Sequence, residues 1–284
     1  MNGLVSLLSC PHHMPFQSSI FGGCYNILTN LMTKLWNILR ALWITFGILF
    51  IVWMANSFRA RGFDKLILES DSQITIEETS HFISFQPHAS SQPVGLIFFP
   101  GGMVQPEAYA PMSRTIAEQG YNVFIVKLPF GSAPLKSQEA DVMNQALEII
   151  SSNESIQYWV VGGHSRGAAI ASRFAYKYGD SFDGLILIGT SHPKEQAFDL
   201  SNSTLFVTKI YATHDGLASM DEVEANAIYL PNDTTWVLID GGNHSQFSYT
   251  GKLLGDSTAT IRQEEQQKLT IDAILSALNR VQEK

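Results

Sequence analysis

The feature that most constrains the fold of this chain is the sequence GHSRG at residues 163–167, which follows an apolar run and precedes good helix formers. The apolar residues 158–161 are typical of a strand, and residues 168–171 are typical of a helix. So sharp a turn requires glycine at both flanks, because a side chain there would collide with the neighbouring strand or helix. The pattern predicts a nucleophile elbow that exposes the Ser165 hydroxyl; the alternative is an ordinary turn that closes a strand.

Length and composition favour one sizeable catalytic domain with an appendage. The chain has 284 residues, of which 45% are hydrophobic and 15% are charged. Its net charge of −8 and the lack of a basic stripe argue against nucleic acid as a partner. The two cysteines, Cys10 and Cys24, both lie near the N-terminus, so the catalytic region has no disulfide framework, thiol nucleophile or cysteine metal site.

An uncharged and strongly apolar segment marks the N-terminal part at residues 41–57. Extended back to residue 35, it is long enough for a membrane-spanning helix, which needs about 17–25 residues. We predict a poorly ordered extension over residues 1–34, a transmembrane signal-anchor helix over residues 35–57 and a catalytic domain over residues 64–284.

The apolar segment has two alternative interpretations, a buried core helix and a signal peptide cleaved near Ser57. We expect membrane localisation through a single-pass N-terminal anchor, whereas cleavage would give a secreted protein. Basic residues flank both ends of the segment almost equally, so the sequence does not decide which side of the membrane the catalytic domain faces. Met32 is the expected biological start, with little ordered structure before it; the alternative is that residues 1–31 are a genuine short extension.

After residue 73, predicted strands alternate with predicted helices. This alternation indicates an α/β protein with a mostly parallel sheet and helices on both faces. The predicted strands cover residues 74–76, 81–85, 94–99, 122–128, 158–162, 185–188, 205–211 and 235–239. The predicted helices cover residues 106–120, 141–153, 166–179, 218–230 and 260–281.

This order of elements, together with GHSRG, resembles the alpha/beta hydrolase superfamily, and most of all its small bacterial members. The resemblance runs from about Ile74 to the C-terminus. It implies the alpha/beta hydrolase fold. Members often carry a helical cap after the strand that matches residues 185–188, but only residues 191–203 separate that strand from the next. We therefore expect a lidless domain with an open cleft.

A serine nucleophile needs a base, and the base needs an acid to orient it. The family order is serine, acid and histidine. The resemblance assigns the acid to Asp215, directly after a predicted strand, with Asp240 as the competitor. It assigns the base to His244, in a glycine-rich loop after the last strand. The weaker histidine candidates are His192, His214 and His164, the last expected to pack and hydrogen-bond inside the elbow.

The resemblance also implies an oxyanion hole made of two backbone N–H groups. One belongs to the residue after the nucleophile, Arg166, and the other to the loop after the third strand, at Gly102 or Met103. The Arg166 side chain has two interpretations, binding a substrate carboxylate or pairing with a nearby acid. Met103, Val104 and Phe130 are candidates to line the substrate pocket, with core packing as the alternative.

These residues together predict a membrane-anchored serine hydrolase that forms an acyl-enzyme on Ser165. The expected substrate is a small or medium carboxylic ester, and no metal or organic cofactor is implied. Acyl transfer and thioester or amide cleavage are alternatives on the same triad. A non-catalytic binding protein on the same fold is the alternative from another class.

Overall fold

The computed structural model describes residues 19–88 and 92–284. The chain divides into two compact units, with the boundary between Trp53 and Met54. The described part of the first unit is helical, and the described part of the second carries one sheet with its helices.

The N-terminal helix, α1, covers Ser19–Ser57. It begins well before the span predicted from residue 35, because no proline interrupts residues 16–86. Residues 19–34 of the predicted extension are therefore helical, and the rest of that prediction, residues 1–18, lies outside the described residues. The part Thr29–Ser57 has a mean hydropathy of 2.1 and is long and apolar enough to cross a membrane. The same length and composition would suit a signal sequence.

The second unit is built on an eight-stranded sheet with the order β1-β2-β4-β3-β5-β6-β7-β8. β2 pairs antiparallel with both β1 and β4, and all other neighbours are parallel. This confirms the predicted fold class. The strands are β1 (Ile74–Glu78), β2 (Phe82–Pro87), β3 (Val94–Phe99), β4 (Asn122–Val126), β5 (Tyr158–His164), β6 (Gly184–Ile188), β7 (Phe206–Ala212) and β8 (Thr235–Ile239).

The helices of this unit are α2 (Ala110–Glu118), α3 (Lys136–Ser152), α4 (Arg166–Tyr178), α5 (Met220–Ala225) and α6 (Gln263–Gln282). α2 begins four residues after the predicted residue 106, which lies in a preceding 3-10 turn, and α6 begins three residues after the predicted residue 260. The other two clear differences from the sequence prediction have a visible cause. α3 begins five residues before the predicted Asp141, because the Gln138 side chain accepts the Leu135 N–H at its start. α5 is shorter than predicted, because the Asn226 side chain and N–H both bind the Glu222 carbonyl and end the helix.

The core lies on both faces of the sheet, because successive residues of a strand point to opposite sides. Leu96 and Phe98 of β3 belong to the apolar cluster that includes residues of α2 and α6. Ile97 and Phe99 of the same strand belong to the cluster that includes residues of α3 and α4. All six residues of β3 are buried, as a strand covered on both faces requires.

The loops that follow the parallel strands share one edge of the sheet, where they can assemble a site. We name the three that matter by the strand before them: the β3 loop (residues 100–104), the β7 loop (residues 213–218) and the β8 loop (residues 240–247). Between β6 and β7, residues 189–205 contain one 3-10 turn at Gln196–Phe198 and no cap domain.

The second unit begins earlier than the predicted residue 64. The Gln105 N–H donates to the Phe58 carbonyl at 3.2 Å, and the Gln105 side chain accepts the Ala60 N–H at 2.9 Å. The Arg61 N–H donates to the Tyr249 carbonyl at 2.9 Å. These contacts lie within the unit that starts at Met54. A chain cut at residue 64 would therefore lose part of its own fold.

Candidate active site

Ser165 stands at the turn between β5 and α4 with φ 53° and ψ −115°. This conformation costs a residue with a side chain about 1–3 kcal/mol, so the surroundings must enforce it. A Cβ on Gly163 would lie 2.5 Å from the Gly167 carbonyl carbon, and a Cβ on Gly167 would lie 1.9 Å from the Phe99 carbonyl oxygen. The two glycines let α4 start directly against β3 and β5, and they leave the Ser165 side chain partly exposed.

The β7 and β8 loops bring Asp215 and His244 together. Nδ1 of His244 lies 2.8 Å from Oδ2 and 3.0 Å from Oδ1 of Asp215, and the two residues are 2% and 5% exposed. Oδ1 of Asp215 also accepts the N–H groups of Leu217 at 2.8 Å and Ala218 at 2.7 Å. An ionised carboxylate only accepts, so Nδ1 of His244 carries a proton and Nε2 is the basic nitrogen.

Asp240, the competing acid, is turned away from this pair. It is exposed, and its carboxylate accepts the Thr213 hydroxyl at 3.2 Å. Thr213 Oγ1 in turn accepts the Gly241 N–H at 2.8 Å. Asp240 thus supports the start of the β8 loop.

A second buried carboxylate, which the sequence analysis missed, supports the same loops. Asp256 is 7% exposed. Its Oδ1 accepts the N–H groups of Gly216 at 3.1 Å and His244 at 3.3 Å. Its Oδ2 accepts the Ser245 N–H at 2.8 Å and the Ser245 hydroxyl at 2.5 Å. Asp256 therefore connects the β7 loop to the β8 loop. It lies in no motif, so only its position in space reveals this role.

The other candidate histidines have different partners. His214 Nδ1 lies 2.9 Å from the Thr258 carbonyl. Burial, helped by Arg173 and other cations, lowers the pKa of His192 to about 4, which makes it a weak base. His164 is fully buried, and its ring centroid lies 4.6 Å from that of His244. Since His164 directly precedes Ser165, this ring contact brings the elbow against the β8 loop.

The predicted oxyanion residues lie where β3 and α4 meet. A Cβ on Gly102 would lie 3.2 Å from Cβ of Arg166, so the β3 loop runs beside the first residue of α4. The Met103 N–H donates to the Gly131 carbonyl at 2.7 Å, and the Gly101 N–H donates to the Tyr109 hydroxyl at 2.9 Å. The Gly102 N–H makes no hydrogen bond within the described part of the chain.

The Arg166 side chain is held by groups of the protein itself. Its guanidinium donates to the carbonyls of Ser132 at 3.0 Å and Ala133 at 2.9 Å. It also forms an ion pair with Glu139 of α3 at 2.9 Å. Of the two interpretations of this side chain, the structure therefore shows the pairing with a nearby acid.

The predicted lining residues differ in exposure. Val104 is 3% exposed and packs in the core, whereas Met103 and Phe130 are 55% and 79% exposed. A cavity of about 310 Å³ lies at the β3 loop, lined among others by Met103 and Gly131. A larger cleft of about 680 Å³ lies between α3 and α4, lined among others by Arg166. Both volumes suit small-molecule sites.

Among the described residues, no group of three or more His, Cys, Asp or Glu side chains is placed to hold a metal ion.

Comparison with known proteins agrees with this architecture. The model of the alpha/beta hydrolase family matches residues 95–268, which is more than half of the chain. The chain therefore belongs to the alpha/beta hydrolase family. Among curated proteins, no sequence matches it.

Solved structures show the same fold at low identity. A serine hydrolase without a lid from Xanthomonas campestris is 13% identical, with a TM-score of 0.53 over 74% of this chain and 97% of that one. A dienelactone hydrolase-like promiscuous phosphotriesterase from metagenomic libraries is 14% identical, with a TM-score of 0.55 over 73% and 99%. An alpha-beta serine hydrolase homologue from Coxiella burnetii is 14% identical, with a TM-score of 0.52 over 72% and 97%.

Proposed function

We propose that this protein is a serine hydrolase that cleaves carboxylic esters through an acyl-enzyme on Ser165. The observation that carries the proposal is the buried His244–Asp215 pair, held against the elbow that forces Ser165 into its strained conformation. An acid fixed on Nδ1 of a histidine beside an exposed serine is what nucleophilic catalysis of acyl transfer requires.

In the proposed mechanism, Nε2 of His244 removes the proton from Oγ of Ser165 as Oγ attacks the ester carbonyl carbon. The tetrahedral intermediate collapses, the alcohol leaves with the proton from His244, and the acyl group stays on Ser165. Water then loses a proton to His244 and attacks the acyl carbon. The second tetrahedral intermediate collapses, the acid leaves, and Oγ of Ser165 takes the proton back from His244. Asp215 stabilises the imidazolium in each half-reaction.

We propose the backbone N–H groups of Arg166 and Gly102 as the oxyanion hole. Two features support Gly102 over Met103: its backbone runs beside Arg166, and the Met103 N–H is already bound to Gly131. The N-terminal end of α4 adds a positive partial charge at the same place. By precedent, each such donor contributes about 2.7–4 kcal/mol to transition-state stabilisation.

The substrate we propose is a small or medium ester. The absence of a cap over residues 189–205 supports an open cleft, and Met103 and Phe130 are the exposed apolar side chains beside it. Similarity to hydrolases that include a dienelactone hydrolase-like enzyme supports the same class. We keep Phe130 and Met103 as lining residues. Val104 lines the cavity at the β3 loop, but its exposure of 3% supports its core alternative.

We further propose that Thr29–Ser57 anchors the hydrolase in a membrane. The support is its length and hydropathy, with no charged residue after Arg40 in the helix. An exposed apolar helix of this length would greatly exceed the apolar patch that a monomer in water normally carries.

A fluorophosphonate probe should label Ser165 in the folded protein, because only an activated serine attacks phosphorus at a useful rate. Ser165→Ala should abolish both labelling and hydrolysis of p-nitrophenyl acetate. Ser151→Ala, on the exposed side of α3, is the matched control and should label like the original chain. A folded protein that the probe leaves unlabelled would favour the binding-protein alternative.

The acid assignment is tested by two matched substitutions. Asp215→Asn should lower kcat by about 10⁴-fold, because an amide at this position stabilises the wrong tautomer of His244. Asp240→Asn should change kcat by less than about threefold, since the position is exposed and the amide oxygen of Asn can still accept the Thr213 hydroxyl. Steady-state kinetics with p-nitrophenyl acetate measures both, and the opposite ranking would make Asp240 the acid.

The anchor is tested by fractionation. The full chain should stay in the membrane pellet after carbonate washing, whereas a chain that starts at Met54 should be soluble and active, because it keeps the contacts of residues 58–61. A chain that starts at residue 64 should be less stable by circular dichroism melting. Release of the full chain by carbonate, or a mature N-terminus just after Ser57, would contradict the anchor.

A further inference from the structure

Tyr109 and His164 form a buried hydrogen-bond chain behind the candidate active site. The Gly101 N–H donates to the Tyr109 hydroxyl oxygen at 2.9 Å. The same hydroxyl lies 2.8 Å from Nδ1 of His164. Both side chains are 0% exposed. The chain of contacts therefore links the β3 loop to the residue that directly precedes Ser165.

The direction of the first hydrogen bond follows from the groups involved. A backbone N–H only donates, so the Tyr109 oxygen accepts from Gly101, and the same oxygen shares one proton with Nδ1 of His164 in a second hydrogen bond. Burial raises the pKa of Tyr109 well above its ordinary value and lowers the pKa of His164 well below its own, so both groups are neutral.

The other side of the His164 ring faces the β8 loop. Its centroid lies 4.6 Å from the ring of His244 and 5.5 Å from the ring of Phe247. The His244 backbone is the polar group that favours a proton on His164. Nε2 of His164 makes no hydrogen bond of normal geometry to any described residue. The bond to Tyr109 is therefore the one that fixes this ring.

We propose that the Tyr109–His164 pair positions the oxyanion hole and the base relative to Ser165, which rests on the proposed serine-hydrolase function. Tyr109 holds the Gly101 N–H inward, so that Gly102 presents the next N–H beside Arg166. His164, held from behind by Tyr109, supports the ring of His244. Tyr109 acts through these residues and is a positioning residue.

Tyr109→Phe tests the proposal, because it removes one oxygen and leaves the Gly101 N–H and Nδ1 of His164 without a partner. We expect kcat for p-nitrophenyl acetate to fall about tenfold while KM stays unchanged. The affinity for phenylboronic acid, which forms a tetrahedral adduct on an active serine, should fall by the same factor.

Tyr121→Phe is the matched control. It also removes a tyrosine hydroxyl, here a partly buried one that donates to the Asn279 side chain of α6, outside the β3, β7 and β8 loops. Both variants should lose a similar amount of thermal stability, and only Tyr109→Phe should lose kcat and boronate affinity. If Tyr109→Phe loses stability alone and keeps both, Tyr109 is merely structural and the proposal is wrong.

Amide hydrogen exchange gives a readout that does not depend on activity. In Tyr109→Phe, exchange at the Gly101 N–H should accelerate at least about tenfold, with no change there in Tyr121→Phe. Unchanged exchange at Gly101 would overturn the proposal even if the protein is a hydrolase. If exchange accelerates but the original chain turns over no ester, the hydrogen-bond chain stands and the proposed function is what fails.

Substitutions of His164 give an independent test. The side-chain amide of His164→Asn can donate a hydrogen bond to the Tyr109 hydroxyl or accept one from it at the place of Nδ1, whereas His164→Ala can do neither. We expect His164→Asn to keep at least about threefold more kcat than His164→Ala, with equal KM. Equal kcat in the two variants would show that only the bulk of the ring matters and would contradict the hydrogen-bonding role.

Discussion

The close approach of α4 to the carboxyl ends of β3 and β5 determines where every reactive group lies. It exists because Gly163 and Gly167 have no Cβ, which at Gly167 would lie 1.9 Å from a backbone oxygen. The approach forces Ser165 into a left-handed conformation and places the first N–H groups of α4 beside the β3 loop. Any larger residue at either glycine would move the helix, and with it the serine and the proposed oxyanion hole.

Two buried carboxylates organise the other half of the site. Asp215 and Asp256 lie in a region closed to water, so each ionised group needs several donors to offset its desolvation. Backbone N–H groups of the β7 and β8 loops supply most of them. The loop N–H groups stabilise the two carboxylates, and the carboxylates in turn fix the two loops relative to each other. His244 is placed as a result, with its ring against His164 and its Nδ1 on Asp215.

A feature of this structure can be predicted from the sequence when the residues that cause it lie close together in the chain. The elbow, the alternation of strands and helices and the lack of a cap follow from short patterns, and the predicted fold class is confirmed. The Asp256 contacts and the Tyr109–His164 pair join residues far apart in the chain. No sequence pattern near Asp256 or Tyr109 predicts these contacts. The second unit starts at Met54, before the predicted residue 64. The cause is again distant in sequence, because residues 58–61 bind Gln105 and Tyr249.

The central claim is that one constellation of Ser165, His244, Arg166 and Gly102 performs acyl transfer. A crystal structure of the protein after reaction with a phosphonate tests it most directly, because the adduct imitates the tetrahedral intermediate. We predict phosphorus on Oγ of Ser165 and the phosphoryl oxygen about 2.7–3.1 Å from the N–H groups of both Arg166 and Gly102. Nε2 of His244 should face Oγ or the remaining alkoxy oxygen. A phosphoryl oxygen that points away from both N–H groups, or phosphorus on another residue, would contradict the account.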